Sequence, residues 1–201
     1  MKKSVLLLSA ILFTFSMQGQ IQTPASSPSA HMEQMVGLTD VTIDYSRPSM
    51  KGRTVFGNLV PFGKIWRTGA NANTTISFST DVTVDGQKLN KGTYAIYTKP
   101  EKDSWEVYFY SETDNGGLPQ KWDDSKVVAK VSAKVYPMSM SVESFTISLD
   151  DLTSESAVLG ILWEKTYVGV KFEVPTDATV MNNINQVMGG PTAQDYYAAA
   201  V

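Results

Sequence analysis

The chain has 201 residues, 17 of them basic and 20 acidic, for a formal net charge of −3, with no cysteine and one histidine. A chain of this length buries roughly 70% of its unfolded surface and needs no covalent staple. The missing cysteine excludes disulfides, thiolate catalysis and sulfur-ligated metals, the single histidine excludes a metal site built on several imidazoles, and the mild acidity argues against a nucleic-acid partner.

The start, Met1-Lys2-Lys3, is basic and is followed by a short apolar run from Val5 to Met17. That order reads as a secretory signal peptide over residues 1–19, cleaved between Gly19 and Gln20. The run is short for a membrane span, so no membrane insertion is expected once it is removed. Residues 20–34 begin with a stretch rich in Ser, Pro, Gln and Ala and read as a flexible leader.

From residue 35 the texture is that of strands. Val36, Leu38, Val41, Ile43 and Tyr45 keep close to period two, with a slip near Thr39-Asp40 that fits a bulge or a short break. Ile76 and Phe78 alternate with polar neighbours, and Val82 and Val84 run into Asp85-Gly86, a hairpin signal. Tyr94, Ile96 and Thr98 follow; a leucine, a glycine and then Tyr94 at a strand entry fit a tyrosine corner as well as an ordinary core tyrosine. Trp105, Val107 and Phe109 make another strand, and a polar loop covers residues 111–124. Two strands follow, on the odd residues from Val127 to Val135 and on Val142, Phe145, Ile147 and Leu149. A hairpin round Glu164-Lys165 is expected to join residues 158–163 to 167–174.

Residues 35–175 therefore predict a mainly β domain, an antiparallel β-sandwich of about eight or nine strands. A C-terminal helical segment, residues 176–201, follows. Asp177 is its expected cap and Gly189-Gly190 its stop, with a second helix from Ala193 still running at Val201. Such a tail offers a surface for a protein partner.

No reaction signature is present. His31 sits at the edge of the leader, poorly placed for a Ser-His-Asp triad. The acid-rich loop with Glu112, Asp114, Asp123 and Asp124 lacks the spacing of an EF-hand. No metal site, cofactor or catalytic residue is assigned. A carboxylate pair drawn from Asp44, Glu106, Glu143 and Glu164 is the one hydrolytic alternative, although nothing singles out two of them.

The densest chemistry lies in residues 47–73. Arg47, Lys51, Arg53, Trp66, Arg67, Asn71 and Asn73 gather there around glycine and proline turns. A guanidinium grips a carboxylate or phosphate with two prongs, and an indole face suits a sugar or another ring. These seven residues are the candidate ligand-binding set, for a small molecule or glycan that is polar or anionic. The competing possibility is a structural network in which the arginines pair with Asp44, Glu106 or Glu164.

The run Arg47-Pro48-Ser49, Lys51-Gly52-Arg53, Val55-Phe56-Gly57, Leu59-Val60-Pro61-Phe62-Gly63 and Ile65-Trp66-Arg67-Thr68-Gly69-Ala70-Asn71 resembles a family of secreted bacterial proteins, domain of unknown function 2911. The likeness continues through Asp85-Gly86, Leu89 and Gly92-Thr93-Tyr94 to Trp163-Glu164-Lys165, spanning roughly residues 36–174. It implies an exported β-rich domain, periplasmic or extracellular, mostly from Gram-negative polymer degraders. It carries over no activity and no catalytic residue. Some relatives look to carry a helical, repeat-like extension after the β domain. A non-catalytic binding domain is the leading expectation, ahead of a carboxylate-pair hydrolase and of an assembly domain docking through its C-terminal helix.

Overall fold

The computed structural model describes residues 23–191 and 197–198. The expected signal peptide lies outside them, as does the second C-terminal helix apart from residues 197–198. Nine strands form one open antiparallel sheet: β1 (Ser29–Val36), β2 (Thr39–Ser46), β3 (Thr75–Phe78), β4 (Val82–Val84), β5 (Gln87–Leu89), β6 (Gly92–Pro100), β7 (Ser104–Tyr110), β8 (Val127–Asp150) and β9 (Ser156–Glu173). Their spatial order is β1-β2-β3-β6-β7-β8-β9-β4-β5. The expected mainly β, antiparallel body of about nine strands is what forms.

Its two layers are halves of one folded sheet. Tyr45 on β2 meets Phe145 on β8 edge to face at 5.8 Å, and Phe78 on β3 meets Phe172 on β9 at 5.4 Å. These strands are far apart in the hydrogen-bonded order, so the sheet curls back on itself. The inward residues of both halves then share one apolar core. Period-two burial along β2 and the first part of β8 leaves their other face wet, as antiparallel sheets allow.

Three local expectations are corrected, and the slip near Thr39-Asp40 proves to be the break rather than the bulge. The second half of the supposed leader is the edge strand β1, paired with β2 from Ser29↔Ser46 to Val36↔Thr39. Its exposed, polar composition hides the strand, because an edge needs no apolar run. The slip near Thr39-Asp40 is a two-residue hairpin turn at Gly37-Leu38, with Gly37 at φ 56°. The two strands expected over 127–149 are one. Pairing with β9 skips from Pro137↔Thr166 to Val142↔Glu164, so a local irregularity mimics a chain reversal. The hairpin expected at Glu164-Lys165 is absent: β9 runs straight through, opposite the bulged stretch of β8 between Pro137 and Thr146. Glu164 takes φ 55°, and the buried set changes from Ala157, Leu159, Ile161 and Trp163 to Val168, Val170 and Phe172. The surplus residues lie on β8, where the step from Pro137 to Val142 faces only the step from Thr166 to Glu164, and an odd surplus moves the inward face of β9 by one position.

Other signals hold. Asp85 and Gly86, at φ 47° and 74°, turn β4 into β5. The Tyr94 hydroxyl donates to the Asn90 carbonyl at 2.6 Å, the upstream bond of a tyrosine corner. The helix α1 (Thr176–Met188) exists and stops at Gly189, whose amide donates to the Asn185 carbonyl. Pro175, not Asp177, occupies its cap position, and Asp177 lies in the first turn. No residue of α1 is buried. Among the described residues no helix is long and apolar enough to cross a membrane.

On the wet face Glu106 of β7 ties three adjacent strands. Its carboxylate meets Lys130 of β8, Lys99 of β6 at 3.4 Å, and the Tyr108 hydroxyl at 2.7 Å. Lys130 first, then Tyr108, hold the Glu106 carboxyl down at about 2. A carboxyl held below its ordinary value of about 4.3 stabilises the fold fully above that value and loses the contribution as pH falls toward 2. Urea unfolding between pH 5 and pH 2 is expected to show stability falling with pH, with a shallower fall in Glu106→Gln.

Candidate functional site

The chain leaves β2 and runs on along β8 as an extra rung. The Phe145 amide donates to the Pro48 carbonyl and the Met50 amide to the Glu143 carbonyl, each at 2.9 Å, with the Ser49 and Ser144 hydroxyls 3.1 Å apart. Arg47 clamps this rung: Nε donates to the Phe145 carbonyl at 3.1 Å and Nη2 to Thr146 Oγ1 at 2.8 Å. The chain then reverses at Lys51-Gly52, both at positive φ, and Arg53 N closes the turn on the Met50 carbonyl at 3.0 Å. Glu143 accepts the Lys51 amide at 2.8 Å and Glu164 the Val55 amide at 3.2 Å. Arg53 aims its own Nε and Nη2 at the Met50 and Ser49 carbonyls, both 2.8 Å away.

None of the arginines pairs with the acids considered for them. Asp44 meets His31 at 2.7 Å, Glu106 takes the wet-face lysines, and Glu164 takes a main-chain amide.

The second wall is the loop between residues 61 and 74. Trp66 bonds through its main chain to Thr98 in both directions, at 2.7 and 3.0 Å. Thr68 is fully buried at φ 53°, and its carbonyl accepts from Thr74 Oγ1 at 2.6 Å. A β-branched residue at positive φ costs roughly 1–3 kcal/mol and persists only where its surroundings fix it. Here the Thr98 hydroxyl, 3.1 Å from Thr68 Oγ1, helps to do so. Arg67 Nη1 donates to the Asn71 carbonyl at 2.9 Å. Gly117 of the 111–126 loop lies against that guanidinium: a Cβ there, at φ 118°, would come within 2.8 Å of Nη1. Only glycine lets this loop approach so closely.

Between the walls lies a cleft of about 620 Å³. Five of the seven predicted residues line it: Lys51, Arg53, Trp66, Arg67 and Asn71. Two do not. Arg47 is occupied by β8. Asn73 is buried, donating from Nδ2 to the Tyr97 hydroxyl at 2.8 Å and accepting the Gly117 amide at 2.6 Å, so it anchors the loop over Arg67. Trp66 forms the floor, not an open platform. It stacks on Trp163 at 5.9 Å and 19°, takes the Phe145 ring edge-on at 5.2 Å, and donates Nε1–H to the Gly69 carbonyl. Lys64, Leu59, Leu118 and Trp163 are also in the lining. Leu59 and Lys64 lie within the same stretch as the predicted residues, whereas sequence spacing does not bring Leu118 and Trp163 there; the Gly116-Gly117 pair marks a tight loop but not its target.

The charge of the lining is one-sided. Lys51, Arg53, Lys64 and Arg67 line the cleft, and no aspartate or glutamate does. Among the described residues none of these four cations has a carboxylate within 4.0 Å. Two unit charges 4 Å apart interact by about 1 kcal/mol in bulk water and about 4 kcal/mol at an effective dielectric of 20. An anion entering this cleft gathers several such attractions. No group of three or more metal-ligating side chains occurs among the described residues.

A family model described as Protein of unknown function (DUF2911) matches residues 27–172. The chain belongs to this family. The DUF2911 span includes every cleft-lining residue except Ser26. No curated protein and no solved structure matches this DUF2911 chain.

The two kinds of cation in the DUF2911 segment are separable by stability. Arg47→Met removes two hydrogen bonds from a charged donor and is expected to cost about 2 kcal/mol in urea denaturation. Lys51→Gln keeps the main-chain bond to Glu143 and is expected to stay within about 0.5 kcal/mol of the unchanged protein.

Proposed function

We propose that the protein is an exported, non-catalytic binding domain whose cleft takes a small anionic or polar ligand. One observation carries this reading: four cations line the cleft with no acidic side chain among them, in a chain whose net charge is −3. An isolated surface lysine means little; four convergent charges held on braced loops form a focused positive field. The bracing supports binding further. Arg53 and Arg67 are each oriented by main-chain carbonyls, so less side-chain entropy is lost when a ligand docks.

Catalysis by a carboxylate pair has less support. Glu143 and Glu164 each accept a main-chain amide, and neither lines the cleft. Export rests on the basic start and apolar run of residues 1–19, and places binding in the periplasm or outside the cell.

Isothermal titration with citrate and inorganic phosphate, in low salt and then in 0.5 M sodium chloride, tests the reading. Binding is expected in low salt and is expected to weaken as salt rises. The double variant Lys51→Gln, Lys64→Gln is expected to lose about tenfold in affinity while unfolding normally. Anion affinity indifferent to both salt and the double substitution would refute an electrostatic site in this cleft.

A further inference from the structure

The cleft has a second chemical face. Leu59 and Leu118 are 39% and 42% exposed, yet they come from loops distant in sequence and line the same cavity, together with partly buried Ile65. Neither leucine is there through slackness of its loop. The Leu59 amide donates to the Thr54 carbonyl, and the neighbouring Gly57 and Val60 bond each other and Val55. Leu118 follows Gly117, whose amide and carbonyl are fixed by Asn73 and by the Tyr97 hydroxyl. Exposed leucines converging on a cationic cleft leave apolar area that a ligand can remove from water, at about 25 cal/mol per Å².

The same lining is poorly equipped for an uncharged sugar. Carboxylates, the usual acceptors for sugar hydroxyls, are absent from it. Both floor indoles have their N–H groups committed, Trp66 to the Gly69 carbonyl and Trp163 to the Glu143 carbonyl. They also stack on each other, which covers one ring face of each.

We propose that the ligand is an amphipathic organic anion: a carboxylate or phosphate group held by Lys51, Arg53, Lys64 and Arg67, joined to an apolar body lying on Leu59, Ile65 and Leu118. This rests on the anion-binding reading above and narrows it. A cleft of about 620 Å³ falls within the range that encloses a small organic molecule and exceeds what a bare inorganic anion fills.

Titration with two matched pairs separates the narrower statement from the broader one: phenyl phosphate against inorganic phosphate, and 4-phenylbutyrate against acetate. Phenyl β-glucoside serves as the neutral control. In at least one pair the aryl anion is expected to bind about tenfold or more tighter than its small partner, and the glucoside to bind more weakly than either aryl anion. The double variant Leu59→Ser, Leu118→Ser changes two exposed side chains, and a normal circular dichroism spectrum would confirm its fold. It is expected to reduce the aryl advantage to about threefold or less while leaving the small anions unaffected. Equal affinity within both pairs, or an aryl advantage that survives the leucine substitutions, overturns the amphipathic assignment and leaves anion binding standing. A glucoside bound as tightly as the aryl anions also overturns it. Absence of binding by all four anions overturns both readings.

Discussion

The arrangement depends on where two carboxylates are used. Glu143 and Glu164, on neighbouring strands, each accept a main-chain amide from the loop that follows β2, at Lys51 and at Val55. The buried Val55 must find an acceptor for its amide, and Glu164 supplies it; the exposed Lys51 amide takes Glu143. The cations of that loop are left without those partners. A hydrogen bond from an amide does not cancel a carboxylate's charge, but both carboxylates are turned to main-chain amides and neither lines the cleft, so the charged side chains of the lining are all cations.

The floor follows from the same economy of space. Trp66 and Trp163 stack, with Phe56, Trp105 and Phe145 around them, and this aromatic block is continuous with the core between the two halves of the sheet. Arg67, next to Trp66, inherits its position from that block. The strained backbone at Thr68 and the left-handed Asn71 then return the chain to β3 within a few residues. Loops so constrained hold their side chains at fixed places on a rigid scaffold, which suits recognition.

Much of the scaffold was legible because several strands alternate apolar and polar residues. β2, β3 and the β4–β5 hairpin show alternation or a turn signal that the structure keeps, whereas β6 and β7 alternate in sequence but are largely buried on both faces, the outer one in a second cluster of Ala95, Tyr97, Tyr108 and Tyr110. Legibility failed where a strand carries an irregularity. Pro137 and the left-handed Glu164 resemble turns locally, yet β8 and β9 pass through both because pairing resumes beyond them. It failed also at β1, where an edge strand shows no apolar run.

The site was half legible for a related reason. Lys51, Arg53, Trp66, Arg67 and Asn71 share one short stretch of chain, and local turns keep them together. Arg47 and Asn73 come from the same stretch but face partners that only the fold supplies, Phe145 and Thr146 for one, Tyr97 and Gly117 for the other. Leu118 and Trp163 reach the cleft by topology alone. The most direct test of the central claim, that the cleft carries uncompensated positive charge, is an anomalous-scattering map of crystals soaked in tungstate. The strongest anion peak is expected in the cleft beside Arg53 and Arg67; peaks confined to outlying lysines such as Lys88 and Lys171, with the cleft empty, would contradict it.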